Sequence, residues 1–134
     1  MKDFLKKKHL IVLLLFLMFL LFFLNLKKRP FFIFKIKGKT YKLLVAKDPK
    51  DWQKGLMFYR SKKELNGAEG MIFLFPNKNY QIFWNKNTFL DLDIYWIDGE
   101  KIIGKSFLPS IKKTKNIFTV TSPKLVDKVV EIIR

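Results

Sequence analysis

Residues 83–98 read FWNKNTFLDLDIYWID. Phe83 and Trp84 at one end, and Leu92, Ile94, Tyr95, Trp96 and Ile97 at the other, are the aromatic and branched residues of buried strands. Between them stand Asn85, Lys86, Asn87, Thr88, Asp91 and Asp93. The fold turns on whether this polar centre is a solvated turn or a polar site built into the sheet.

Working outward, FFIFKIKGKTYKLLVA alternates as two strands around a turn at Lys37, Gly38 and Lys39. In KDPKDWQKG, Asp48 is placed to cap a short helix with Pro49 at its first position, ending near Gly55. MIFLFP predicts a short buried strand stopped by Pro76. YQIFWNK, FLDLDIYWID, KIIGKSFLP and NIFTVTSP predict further strands, with Asp98 and Gly99 marking a tight hairpin. SPKLVDKVVEIIR fits either a helix capped by Ser122 or a last strand over VVEII. The fold class expected is mainly β: a compact antiparallel barrel or sandwich with a short helix, preceded by a single N-terminal transmembrane helix.

That N-terminal segment is MKDFLKKK, then HLIVLLLFLMFLLFFLNL, then KKRP. From Leu10 to Leu24 no residue is polar, and Leu26 extends the run past Asn25. About 17 helical residues span roughly 25 Å against a hydrocarbon core of about 30 Å. Snorkelling lysines at both ends make up the shortfall. No small residues stand near the exit for cleavage, so a retained signal anchor is expected, with Leu10, Leu15, Leu20 and Leu24 in lipid. The division is then 1–29 anchor and 30–134 β domain. Basic residues flank the span almost evenly, so the positive-inside rule is silent. A short basic tail before one domain favours a single-pass cell-membrane protein whose domain is extracytoplasmic.

The chain has 27 Lys and Arg against 11 Asp and Glu, and after Pro30 the counts are 20 and 10. Such a field attracts anionic lipid or an anionic envelope polymer. The 24 Lys to 3 Arg, scattered at nearly every step, read mainly as compositional bias, and nucleic acid is not expected as a partner. With no Cys and one His, disulfides, thiol nucleophiles, His triads and multi-His metal sites are excluded. No phosphate loop, metal-ligand cluster or nucleophile motif occurs, so no cofactor or metal is expected.

GLMFYR at 55–60, EGMIFLFP at 69–76 and FWNKNTFLDLDIYWID at 83–98 stand in an order and spacing that resemble domain of unknown function family 192. The family is prokaryotic, and its members are often exported or membrane-anchored. The resemblance spans roughly residues 41–133 and implies a compact, predominantly β fold without an assigned activity. Two positions depart from the family pattern: Asn85 stands where Met is usual and Asp91 where Pro is usual. The family's carboxyl end resembles VVEI as a strand, which favours a strand here and raises the question of an uncovered last edge.

On one strand, Asp91 and Asp93 would share a face about 6.6 Å apart, near the spacing of two-carboxylate hydrolases. Only Asp93 matches the family pattern, so a dyad is not favoured. If residues 82–86 pair with 91–95, Lys86 approaches Asp91 and Asp93, closing the hairpin as an ion pair or facing a ligand. Arg60 is placed to pair with an acid such as Glu69, and Gly70 reads as a turn residue. Trp84, Tyr95 and Trp96 offer stacking faces, although core packing is the simpler role in so aromatic a chain. The candidate ligand-binding residues are Trp84, Lys86, Asn87, Thr88, Asp93 and Arg60. The function expected is a binding or accessory module for a small polar or envelope ligand. The alternatives are a hydrolase-like enzyme using Asp93 on envelope material, and a basic module adhering to anionic lipid or polymer.

Overall fold

The computed structural model describes the backbone of residues 2–24 and 30–134, with side chains described for 7–22 and 30–134. The first helix, α1, runs Lys2–Leu24. The apolar side chains from Leu10 to Phe22 are exposed along it. Among the described residues no helix is long and apolar enough to cross a membrane. The side chain of Leu24 and the basic run 27–29 lie outside the described residues.

The remainder is built on strands β1 (Phe31–Ile36), β2 (Lys39–Ala46), β3 (Gly70–Asn79), β4 (Ile82–Trp84), β5 (Leu92–Asp98), β6 (Lys101–Leu108), β7 (Thr119–Thr121) and β8 (Val126–Ile133). Two short helices, α2 (Pro49–Lys54) and α3 (Ile111–Thr114), accompany them. Six strands form one sheet in the order β1-β2-β3-β8-β5-β6, and β4 pairs with β7 in a separate ribbon. Every pairing is antiparallel except β2 with β3. A parallel pair needs a long crossover, and residues 47–69 supply it through α2 and a 3₁₀ turn at Lys62–Leu65. Asp48 caps α2 by accepting from the Asp51 backbone N–H at 2.9 Å. The Trp52 indole N–H donates to the Ala46 carbonyl at 3.1 Å, fastening α2 to the end of β2.

One sheet face carries Leu44, Met71, Phe73, Ile94, Trp96 and Val129 and is covered by the ribbon. Phe83 of β4 meets Phe73 and Trp96 edge-on, with centroids 4.8 and 5.7 Å away. The other face buries Ile36, Leu43, Ile72, Tyr95, Ile97 and Val130, all contributed by the sheet's own strands, with Phe34, Tyr41, Val45 and Leu74 packed against them. Among the described residues, β1 and β6 remain unpaired edges and no barrel closes.

Four local expectations change. β4 pairs with β7 rather than with residues 91–95, so the central polar stretch is a crossing between two sheets, not a hairpin. β3 continues through Pro76, and its register with β8 shifts between Leu74 and Asn79. VVEII is a strand, but it sits between β3 and β5 instead of at an edge. Gly70 is no turn residue. It begins β3 where the backbones crowd: a Cβ there would lie 1.8 Å from the Glu131 carbonyl oxygen.

Candidate functional site

Glu131 stands in β8 within an otherwise apolar run, paired in register with Met71 of β3 and Ile94 of β5. Strand alternation puts it on the ribbon-covered face with Val129 and Ile133. Its side chain is buried, and Oε2 has no hydrogen-bond partner among the described residues. Burial pushes its carboxyl up from an ordinary 4.5 to about 8. At neutral pH it is therefore an acid that can both donate and accept a hydrogen bond. Gly55, with φ at +48°, carries the chain directly over it; a Cβ there would sit 3.8 Å from Oε2 and 3.3 Å from the Phe73 ring.

Glu131 lines a recess of about 20 Å³, room for one water-sized group. The recess is walled by Gly55, Leu56 and Met57, by Phe73, and by Phe83, Trp84 and Thr88. Each of the three stretches GLMFYR, EGMIFLFP and FWNKNT thus contributes to it, together with VVEII. An adjoining cleft of about 550 Å³ opens outward and shares Trp52, Gln53, Phe73, Phe83 and Trp84 with the recess. Its remaining lining is Phe75, Gln81, Ile82 and Thr119, so no charged side chain faces it among the described residues. Trp52 packs on Phe75 with centroids 5.2 Å apart.

The loop from 85 to 91 is held rigidly. Asn85 is fully buried; its amide donates to the Pro109 carbonyl at 2.9 Å and to Thr114 Oγ1 at 2.8 Å, and its Oδ1 accepts from the Phe118 N–H at 2.8 Å. Buried Thr88 donates to the Lys86 carbonyl at 3.2 Å. Asn87 takes φ of +52°, and its carbonyl accepts from the Phe58 N–H at 2.9 Å, tying the loop to the end of GLMFYR.

Of the residues singled out in the sequence, Trp84 and Thr88 stand in the recess wall, and Lys86 Nζ lies 5.2 Å from the Trp84 ring centroid. Asn87 shapes the loop beside them. Asp93 is elsewhere, on the opposite sheet face. Its carboxylate is held by Lys105 at 2.9 Å and Arg134 at 2.8 Å, not by Lys86. Asp91 accepts from the Ser110 N–H and pairs with Lys113. The Lys113 ammonium and then that N–H hold the Asp91 carboxyl below the usual range. Glu69 meets Lys62 at 3.4 Å and Lys39 at 3.8 Å, while Arg60 gives its backbone N–H to Glu64. The sequence reading does not include Glu131. The available signal was a lone acid in VVEII, where alternation places it with the core-facing residues.

The architecture defines a small β domain with an aromatic cleft and, in an adjoining recess, a buried acid. Residues 32–134 match the model of domain of unknown function family 192, described as "Uncharacterized ACR", and the chain belongs to that family. No curated protein matches it. Among solved structures, it is similar to a putative transcription regulator from Sinorhizobium meliloti 1021, with 27% identity, TM-score 0.57, and 75% of this chain and 76% of that one covered. It shares its fold with a protein of unknown function from Novosphingobium aromaticivorans DSM 12444, at 19% identity and TM-score 0.64, covering 81% and 77%.

Proposed function

We propose that the domain is a binding module that takes a small ligand in the cleft between Trp52 and Trp84, and that α1 anchors it to a membrane with the domain on the extracytoplasmic side. The observation that carries the binding reading is Glu131: a buried carboxyl whose Oε2 has no partner among the described residues lines a recess sharing walls with a ligand-sized cleft. Isolated buried polar groups are costly, and the recess beside Glu131 is the space through which a partner group can reach it. Hydrolysis through Asp93 has less support, because two cations already engage that carboxylate away from the cleft. Transcription regulation, the role in the name of the Sinorhizobium protein, would use a basic surface for nucleic acid, and no charged side chain lines the cleft among the described residues. The anchor rests on the exposed apolar side chains from Leu10 to Phe22, flanked in the sequence by Lys2, Lys6, Lys7 and Lys8 and by Lys27, Lys28 and Arg29.

Ligand binding is tested by titrating a fragment library into the full chain and reading tryptophan fluorescence and melting temperature. Hits should lose their effect in Trp84→Ala; hits indifferent to that substitution would relocate the site. Anchoring is tested by carbonate extraction of membranes and protease treatment of intact cells. Retention with digestion of the domain is expected, and release by carbonate would overturn it.

A further inference from the structure

We propose that the cleft is a subsite for a neutral sugar, whose ring lies against the Trp84 and Trp52 faces while one hydroxyl enters the recess and hydrogen-bonds Glu131. The proposal rests on the binding reading above and names its ligand class. Four features of the site lead to it.

The cleft is walled by aromatic rings, and a pyranose presents a flat C–H face that stacks on such rings. Its polar lining consists of the amides of Gln53 and Gln81 and the hydroxyl of Thr119, groups that donate and accept like a sugar's own hydroxyls. No charged side chain lines it among the described residues, although the chain carries 27 basic residues. An anionic ligand would have been met by one. The recess, at about 20 Å³, admits a hydroxyl and excludes a ring, so the ring must stay in the cleft. A hydroxyl there supplies the partner that Glu131 Oε2 lacks among the described residues. With no second carboxylate lining either cavity among the described residues, the two-acid chemistry of glycoside hydrolysis is absent and the sugar is bound intact.

Binding should also be linked to the Glu131 proton. A seated ligand excludes water from the recess and makes ionisation of Glu131 harder still, so affinity should fall as pH rises above about 8. The groups facing Glu131 are Phe73 from β3, Phe83 and Trp84 from β4, Thr88 from the loop, and Gln53, Lys54 and Met57 around the end of α2. Lys54, exposed at the rim, is the other charged group lining the recess.

The test uses the full chain in a zwitterionic detergent without a sugar headgroup, titrated calorimetrically with maltotriose, cellotriose and triacetylchitotriose. At least one should bind and quench tryptophan. Trp84→Ala and Glu131→Leu should each weaken it roughly tenfold or more. Glu131→Gln, which keeps a neutral donor and acceptor, should hold affinity within about threefold and abolish the decline above pH 8. Should Glu131→Leu not fold, the contrast in pH profile between the wild type and Glu131→Gln decides alone. Sugar binding indifferent to both Glu131 variants, or a wild-type profile flat to pH 10, overturns the proposal. If no sugar binds while a charged or apolar fragment binds in a Trp84-dependent way, the sugar assignment fails and the cleft remains a binding site. If nothing binds there, both fail.

Discussion

Asp93 and Glu131 stand one register step apart on neighbouring strands, yet on opposite faces of the sheet and under opposite physics. Asp93 pairs with Ile132 across β5 and β8, and Glu131 with Ile94. Asp93 is clasped by Lys105 and Arg134, whose side chains are 42% and 49% exposed. Such a carboxylate already has the partners its charge requires, and its role is to pin two strand ends. Glu131 has the reverse: full burial, no cation on its side chain among the described residues, and a cavity in front of it. The difference teaches that two acids one step apart can meet opposite demands. The fold supplies Asp93 with its partners and leaves the Glu131 Oε2 without one among the described residues.

The comparison can be broken most severely at Gly70. Gly70→Ala places a Cβ against the Glu131 carbonyl and forces β3 from β8, so a loss of about 4 kcal/mol or more is expected, near the whole stability of a small domain. Circular dichroism of the purified variant, or its failure to accumulate, checks this. Next comes Glu131→Gln. The folded protein keeps the Glu131 proton up to about pH 8, whereas an unfolded chain releases it near 4.5. The folded state therefore binds more protons in that window, and stability, complete below the unfolded value, drains away as pH rises toward 8. The wild type should lose roughly 3 kcal/mol relative to Glu131→Gln between pH 5 and 8, read from urea midpoints; parallel profiles would mean that Glu131 is solvated after all.

Asn85→Met sharpens the comparison from the other side, because Asn85 is a buried polar group that is fully partnered. Met is the residue usual in the family, yet here it would strand the Phe118 N–H, costing about 2 kcal/mol in melting experiments. A neutral result would show that the loop repacks. The smallest effect belongs to Asp93→Asn, about 1 kcal/mol and reduced by salt, since both partners are half in water. A loss of several kcal/mol would put Asp93 in the same class as Glu131.

Much of the fold was legible because short-range rules governed it. The Lys37–Gly38 turn takes positive φ at both residues, as a two-residue hairpin demands. Asp48, Pro49 and Gly55 bound α2 as their chemistry directs. Long-range pairing was not legible. FWNKNT and LDLDI are neighbours in sequence, so a hairpin was the economical reading. Asn85, by binding Pro109, Thr114 and Phe118, instead fastens β4 to the segment leading into β7. The recess was invisible for the same reason, since its walls come from residues as far apart as Gly55 and Glu131 and meet only once the sheet exists. Asn87 and Thr88 were readable as loop-shaping residues; that they stand beside a buried acid was not.

The position of β8 has a further consequence, for the order in which the molecule can assemble. It is last in sequence among the strands and central in the sheet, with β1, β2 and β3 on one side and β5 and β6 on the other. Until residues 126–133 are available, those two groups of strands have no backbone hydrogen bonds to each other in the native sheet. Pairings such as Gly70 with Ile132 join residues far apart in sequence, the kind of contact that forms more slowly than local pairing. A growing chain can form β1 with β2 and β5 with β6 from neighbouring segments, and the two groups are joined in the sheet only when β8 enters between β3 and β5.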